Sequence, residues 1–349
     1  MEASYLARPG RVVLPPSVDA VAWTRFQPRT SALAAALGGQ ARFFADGFAG
    51  PHFALRPLSY LIKAVQTWKV LSRDNPRTVL VITPPVVAPF VAWLWCLVHK
   101  RALVVDCHTG AFHSWKWAWA RPLHRWLLRR VRVVLLHTEE LKALVHGWGA
   151  RAMLLPDDLP STRDACPQDK PRGDRVVVAG SLDTNEPVAA VIEAARLLPG
   201  VEFRFTGDPA LLPATLRAEA PDNVVLTGYL AYPIFLGELM AADVVGVFST
   251  DPRIMNRAAF EAVGLGRPLV LSDLRGLRDR FGSAALFSSN EPASIAGVVA
   301  NALDQRGDLA GRSVALQALL REQRDSAVAR LQSIIEGEGE VDWRQRSAS

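Results

Sequence analysis

Residues 255–268, Met-Asn-Arg-Ala-Ala-Phe-Glu-Ala-Val-Gly-Leu-Gly-Arg-Pro, place a guanidinium and a carboxylate four residues apart, at Arg257 and Glu261. On a helix that spacing puts both on one face. Gly266 closes the helix and Pro268 leads a short apolar strand, 269–271, which runs into Ser272-Asp273. A guanidinium matches a phosphate with two parallel hydrogen bonds. Small neighbours, Ala258, Ala259, Ala262 and Gly264, leave room for close approach, so Arg257 is expected on a phosphate group. The alternative is an intrahelical Arg257–Glu261 ion pair on a solvated face.

A second set follows the apolar strand 102–106: Asp106-Cys107-His108-Thr109-Gly110. Ligands in open α/β domains bind beyond the carboxyl ends of the strands, which makes polar residues there site candidates. Asp106 is expected to orient His108 and raise its basicity for acid/base work, with Thr109 and Gly110 on the same loop. Alternatively His108 caps the next helix and loop amides satisfy Asp106. Arg25 and Arg29, between the first strand and a helix, meet a ligand phosphate or are surface charge. Gly180 and Gly207 each follow a strand, where a glycine lets backbone N–H groups approach a phosphate or simply makes a turn.

These residues need a scaffold. At 349 residues the chain fits two domains. Apolar β-branched runs at 11–14, 78–82, 102–106 and 131–137 alternate with helical stretches at 31–37, 58–72 and 121–130. A parallel α/β sheet covered on both faces is expected. Periodicity stops at 157–174, a polar, proline-bearing stretch, and restarts with strands at 175–179, 201–206, 223–227, 244–248 and 268–271. The expected domains are 1–160, a linker 161–174, a second domain 175–310, and a C-terminal helix with a frayed tail, 311–349.

Charge divides with the domains. Residues 1–160 hold 20 Lys and Arg against 9 Asp and Glu, and residues 161–349 hold 20 against 25. Cys96, Cys107 and Cys166 lack the spacing of a zinc site or disulfide framework, which suits a reducing cytoplasm. No secretory pattern opens the chain, and the longest apolar run, 84–98, is shorter than the roughly 18 to 20 residues that span a bilayer. Helix-turn-helix, RNA-binding and zinc signatures are missing, so no nucleic-acid partner is expected.

Five segments occur in order: Val-Ala-Gly-Ser at 178–181, Phe-Thr-Gly-Asp at 205–208, Leu-Thr-Gly-Tyr at 226–229, Met-Ala-Ala-Asp-Val-Val at 240–245 and Glu-Ala-Val-Gly-Leu-Gly-Arg-Pro-Leu-Val at 261–270. Together they resemble the nucleotide-sugar domain of GT-B glycosyltransferases, particularly the family 4 retaining enzymes of glycosyltransferase group 1, over about residues 175–290. The resemblance implies an α/β GT-B fold, two Rossmann-like doubly wound domains facing a central cleft. It also implies transfer of a sugar from a nucleotide-diphosphate sugar, a donor substrate rather than a cofactor, to a polysaccharide or lipid-linked acceptor, with retention and without a metal.

In that family a Glu, seven residues and a second Glu contact the donor. Glu261 matches the later one, which holds the ribose; the earlier position is Arg253, beside Asn256. A basic pair expected on the pyrophosphate after the first strand is absent from 180–186, where Ser181, Asn185 and Glu186 stand instead. Tyr229 sits where the base is seated, or packs in the core.

Trp115, Lys116, Trp117 and Trp119 precede Arg121, Arg125, Arg129, Arg130 and Arg132, with Trp93 and Trp95 nearby. Tryptophans among cations suit a water–headgroup interface, which favours peripheral contact with an anionic membrane at its inner face, or an apolar acceptor groove, over core packing. The competing functions are a sugar-nucleotide epimerase of the same architecture and a non-catalytic GT-B scaffold.

Overall fold

The structure, a computed structural model, describes residues 18–45, 56–108, 110–113, 115–169, 173–252 and 254–337. The chain forms two units: Met1–Pro156 with Ser326–Ser349, and Asp157–Asp325.

In the first unit six strands, β1 (Val18–Ala22), β2 (Gln40–Phe43), β3 (Thr78–Thr83), β4 (Ala102–Cys107), β5 (Val133–Leu136) and β6 (Ala152–Leu154), form one sheet in the order β2-β1-β3-β4-β5-β6. Every pairing is parallel. Residues of both parities are buried along β3, β4 and β5 because helices cover both faces. Val79, Val81, Val105 and Val134 pack on the helices Arg56–Asp74, Val87–His99, Arg121–Leu128 and Glu139–Gly147. Leu80, Val104, Val133 and Leu135 pack oppositely, on the helix Pro28–Ala36 and on Leu331 and Ile334 near the C-terminus.

The second unit repeats this plan with β7 (Asp174–Val178), β8 (Val201–Thr206), β9 (Val224–Gly228), β10 (Val244–Val247), β11 (Leu269–Ser272) and β12 (Ala285–Ser288), in the order β12-β11-β10-β7-β8-β9. All neighbours are again parallel. Strand order reverses between β1 and β3 in one unit and between β7 and β10 in the other, and crevices for ligands open at such points.

Three expectations need correction. The C-terminal segment is one helix, Arg306–Glu336, that starts before 311 and serves two cores, Leu309 and Leu320 in the second unit and Leu331 and Ile334 in the first. The described part of the expected linker is packed rather than free: Ser161 and Asp164 form a capping box, and the Cys166 N–H donates to the Pro233 carbonyl at 2.8 Å. Strands β1, β2, β6 and β12 were not foreseen, being short or lacking alternation. The expected strand at 11–14 lies outside the described residues. No described helix is long and apolar enough to cross a membrane.

Candidate functional site

At the carboxyl end of β7 the loop 180–187 leads into the helix Val188–Arg196. Thr206 at the end of β8 fastens it, its hydroxyl accepting from the Gly180 N–H and donating to the Gly180 carbonyl, both at 3.1 Å. Asn185 joins the loop to the end of β10, its carbonyl accepting from the Thr250 N–H at 2.8 Å. Gly207, at φ +107°, passes so close to Ser181 that a Cβ there would lie 2.7 Å from the Ser181 carbonyl carbon. Gly180, Ser181, Asn185, Glu186 and Gly207 thus form one cluster. Within it the Glu186 carboxylate accepts from the Ser181 N–H, the Ser181 hydroxyl and the Leu182 N–H, each at 3.0 Å. The amides offered to a phosphate by this loop already hold an anion.

The helix Arg257–Gly264 follows β10, with Asn256 as the extended residue before it. Glu261, one turn in, is 4% exposed. Burial pushes its carboxyl up, and Arg257 and Tyr232 oppose that shift. Arg257 donates through Nε to Glu261 Oε1 at 2.9 Å, through Nη1 to Asp158 Oδ1 at 3.3 Å, and through Nη2 to Tyr232 Oη at 3.5 Å, with Asp157 Oδ1 at 3.7 Å. Burial disfavours its charge, but Asp158, Glu261 and Asp157 outweigh that and hold the guanidinium above its usual range. The Arg257–Glu261 pair, the alternative to a phosphate partner for Arg257, is present, part-buried rather than solvated, and its cation stands among three carboxylates. Asp158 and Tyr232 were missed because they lie 99 and 25 residues away in the chain, and Asp157 stands beside Asp158.

The ends of β10, β11 and β12 share a further polar network. The Ser249 N–H donates to Ser272 Oγ at 2.8 Å, that hydroxyl donates to Asn290 Oδ1 at 2.6 Å, and Asn290 Nδ2 returns to the Ser249 carbonyl at 3.0 Å. Ser249 and Ser272 could have been found from their places at strand ends. Tyr229 is 88% exposed, which rules out its packing in the core. Arg253 lies outside the described residues.

In the first unit, Asp106 and Arg29 do not play the expected parts. Both are buried, and Arg29 grips the carboxylate with two bonds, Nε to Oδ2 at 2.8 Å and Nη2 to Oδ1 at 3.2 Å, while Nη2 also donates to the Leu155 carbonyl at 3.0 Å. Burial favours the neutral acid, yet Arg29, with lesser help from His108 and His137, holds the Asp106 carboxyl below its usual range. The pair ties β4 to the helix Pro28–Ala36. It turns neither toward an acceptor.

His108 is oriented by Gln27 instead: Gln27 Nε2 lies 2.8 Å from His108 Nε2. An amide nitrogen only donates, so in this contact His108 Nε2 is the acceptor. The Thr30 hydroxyl donates to Gln27 Oε1 and fixes the amide. His137, directly after β5, sets its ring 4.7 Å from that of His108 at an interplanar angle of 42°. Gln27 and His137 were not singled out, since each is a lone polar residue after a strand. Arg25 is exposed, Gly110 starts the short helix Gly110–His113, and Thr109 lies outside the described residues. Trp95, expected at a surface, is fully buried and donates to Ser72 Oγ at 3.0 Å. Among the described residues no group of three or more His, Cys, Asp or Glu side chains is placed to hold a metal ion.

Residues 173–305 match the family of Glycosyl transferases group 1. No curated protein matches the chain. Among solved structures, HepE of Anabaena in complex with UDP-glucose is similar at 16% identity, with 90% of this chain and 99% of that one covered and a TM-score of 0.65. The sucrose-phosphate synthase of Thermosynechococcus elongatus is similar at 15% identity, covering 95% and 100%, with a TM-score of 0.66. A putative UDP-N-acetylglucosamine 2-epimerase from Listeria monocytogenes is similar at 13% identity, covering 93% and 96%, with a TM-score of 0.63. Residues 173–305 of the second unit are thus similar to group 1 glycosyltransferases, within a chain whose two parallel α/β units have the GT-B fold.

Proposed function

We propose that the protein is a glycosyltransferase that moves a hexosyl group from a nucleotide-diphosphate sugar to a glycan or lipid-linked acceptor, with retention and without a metal, in the cytoplasm at the inner face of the membrane. The observation that carries this reading is Glu261, a buried, cation-paired carboxylate on the helix after β10, inside the segment that matches the family. In this reading Glu261 accepts from the ribose hydroxyls. Charge that grows on the departing diphosphate is met by the loop 180–187, the N-terminus of Val188–Arg196 and Arg257. His108, held by Gln27, serves the acceptor side, with Arg25, Thr109 and Gly110 nearby in sequence. HepE in complex with UDP-glucose supports a nucleotide-sugar donor for the shared fold.

The test is thermal stability against UDP, GDP, ADP, CMP, dTDP and their common sugars, since a ligand bound only by the folded state must stabilise it. A selective rise in Tm that Glu261→Gln reduces is expected; an equal rise in the variant removes Glu261 from the site. Transfer assays with EDTA and the product's anomeric configuration then check metal independence and retention.

A second reading, a non-catalytic binding protein, is favoured by one arrangement: Glu186 fills the loop amides and three carboxylates surround Arg257. It expects no shift with any nucleotide on folded protein.

A further inference from the structure

We infer that the outward face of the helical layer Arg56–Asp74, Val87–His99 and Arg121–Leu128 is a docking surface for an anionic lipid bilayer. This gives a location to the membrane contact in the reading above, but it rests on the first unit alone.

The three helices cover the same face of the first sheet and pack side by side. Trp93 of the second helix meets Trp126 of the third edge-on at 5.1 Å, and Trp68 of the first meets His99 of the second at 6.1 Å. Their inward sides supply Leu71, Trp95 and Leu128 to the core. The outward sides are apolar too. Leu58, Leu61 and Val65 are exposed one turn apart on the first helix, and Leu94, Leu97 and Val98 on the second. Leu123 and Trp126 follow on the third, with Trp119, 70% exposed, just before it. These are nine of the seventeen exposed large apolar side chains among the described residues, so the exposure is concentrated on one layer.

The charge around this face has one sign. From 56 to 138 the sequence holds thirteen Lys and Arg and two acids, Asp74 and Asp106. Both acids are engaged, Asp74 by Arg42 and Arg73 and Asp106 by Arg29. Arg121, Arg125 and Arg129 are exposed at one-turn intervals on the third helix. Arg130 lies over the Trp126 ring, 4.0 Å from its centroid, the pairing of cation and indole that suits a headgroup layer. Cations alone would equally suit nucleic acid, but a ridge of leucine and valine gains nothing from a sugar–phosphate backbone and much from acyl chains. With no span-length apolar helix among the described residues, the face is placed on the bilayer surface rather than across it.

Flotation of the full-length protein with vesicles of phosphatidylcholine, with and without phosphatidylglycerol, tests the inference. Binding at least about tenfold stronger to the anionic vesicles is expected, with tryptophan emission quenched by brominated acyl chains. Arg121→Ser/Arg125→Ser/Arg129→Ser should lower partitioning by roughly a hundredfold, since each surface cation is worth about fivefold. Leu94→Ser/Leu97→Ser should remove the quenching with an unchanged Tm, because both side chains already face solvent. Arg275→Ser, an exposed cation of the second unit, should change nothing. Equal or no binding to the two vesicle types overturns the inference. So does binding without bromine quenching that RNA displaces, which assigns the face to nucleic acid. A dimer in sedimentation that Leu94→Ser/Leu97→Ser dissociates assigns it to a second copy and likewise overturns it. Nucleotide-induced shifts in Tm report on the second unit, so failure here and failure of the transferase reading are distinguishable.

Discussion

Glu186 decides what the loop after β7 offers a ligand. Its carboxylate accepts from two backbone N–H groups and one hydroxyl of that loop. In the proposed function a diphosphate placed there competes with that anion and is also repelled by it. Glu186→Gln keeps the shape and removes the charge, so UDP should bind about tenfold more tightly in calorimetry, while the nucleotide-free protein loses about 1–2 kcal/mol as charge-assisted bonds become neutral. Unchanged affinity would take the loop out of the phosphate site. Arg29 and Asp106 teach the converse lesson. A charged residue at a strand end reads as chemistry, yet this pair satisfies itself, and breaking it by removing one partner would leave an uncompensated buried charge.

At the scale of elements, two glycines explain why the proline-bearing segment after Asp157 is docked. A Cβ on Gly237, in the helix Tyr232–Ala241, would lie 1.8 Å from the Cys166 carbonyl oxygen, and one on Gly264 would lie 2.6 Å from Pro160 Cδ. Missing side chains let the segment lie directly on both helices. Gly237→Ala should therefore cost about 1–3 kcal/mol in denaturant unfolding and speed cleavage at Arg163 by trypsin; a neutral result would mean the segment is loosely held. Strand β1 carries a different tension at Asp19. It is fully buried, and burial pushes its carboxyl from the ordinary 3.8 to about 6, with Asp74 adding and Arg42 opposing. The folded state thus keeps a proton that the unfolded chain has released between those values. Stability contributed by the protonated acid is full below about pH 4 and is lost as pH rises through 6, by about 3 kcal/mol. Asp19→Asn should flatten that part of the stability–pH curve, which urea unfolding at a series of pH values can read.

At the scale of the whole molecule, the last helix belongs to two cores. Leu320 packs in the second unit, whereas Leu331, fully buried, packs under β3, β4 and β5 in the first. Leu331→Ala should destabilise the first unit by about 2–4 kcal/mol and leave nucleotide-induced stabilisation of the second unchanged; hydrogen exchange resolved by peptide separates the two. Such long-range placement marks the limit of what the sequence determines by itself. Runs such as Val79-Leu80-Val81-Ile82 and Leu103-Val104-Val105 announce buried parallel strands, because a strand covered on both faces must be apolar at every position. Five ordered motifs likewise identified the second unit's family, since glycines and strand ends recur where backbone must approach backbone or ligand. Tertiary structure alone decided which polar residues meet. Arg29 reaches Asp106 across 77 positions and Arg257 reaches Asp158 across 99, and no local periodicity encodes such pairings. Local pattern follows from the chemistry of each segment's own residues, whereas a charge's partner depends on which elements the chain brings side by side.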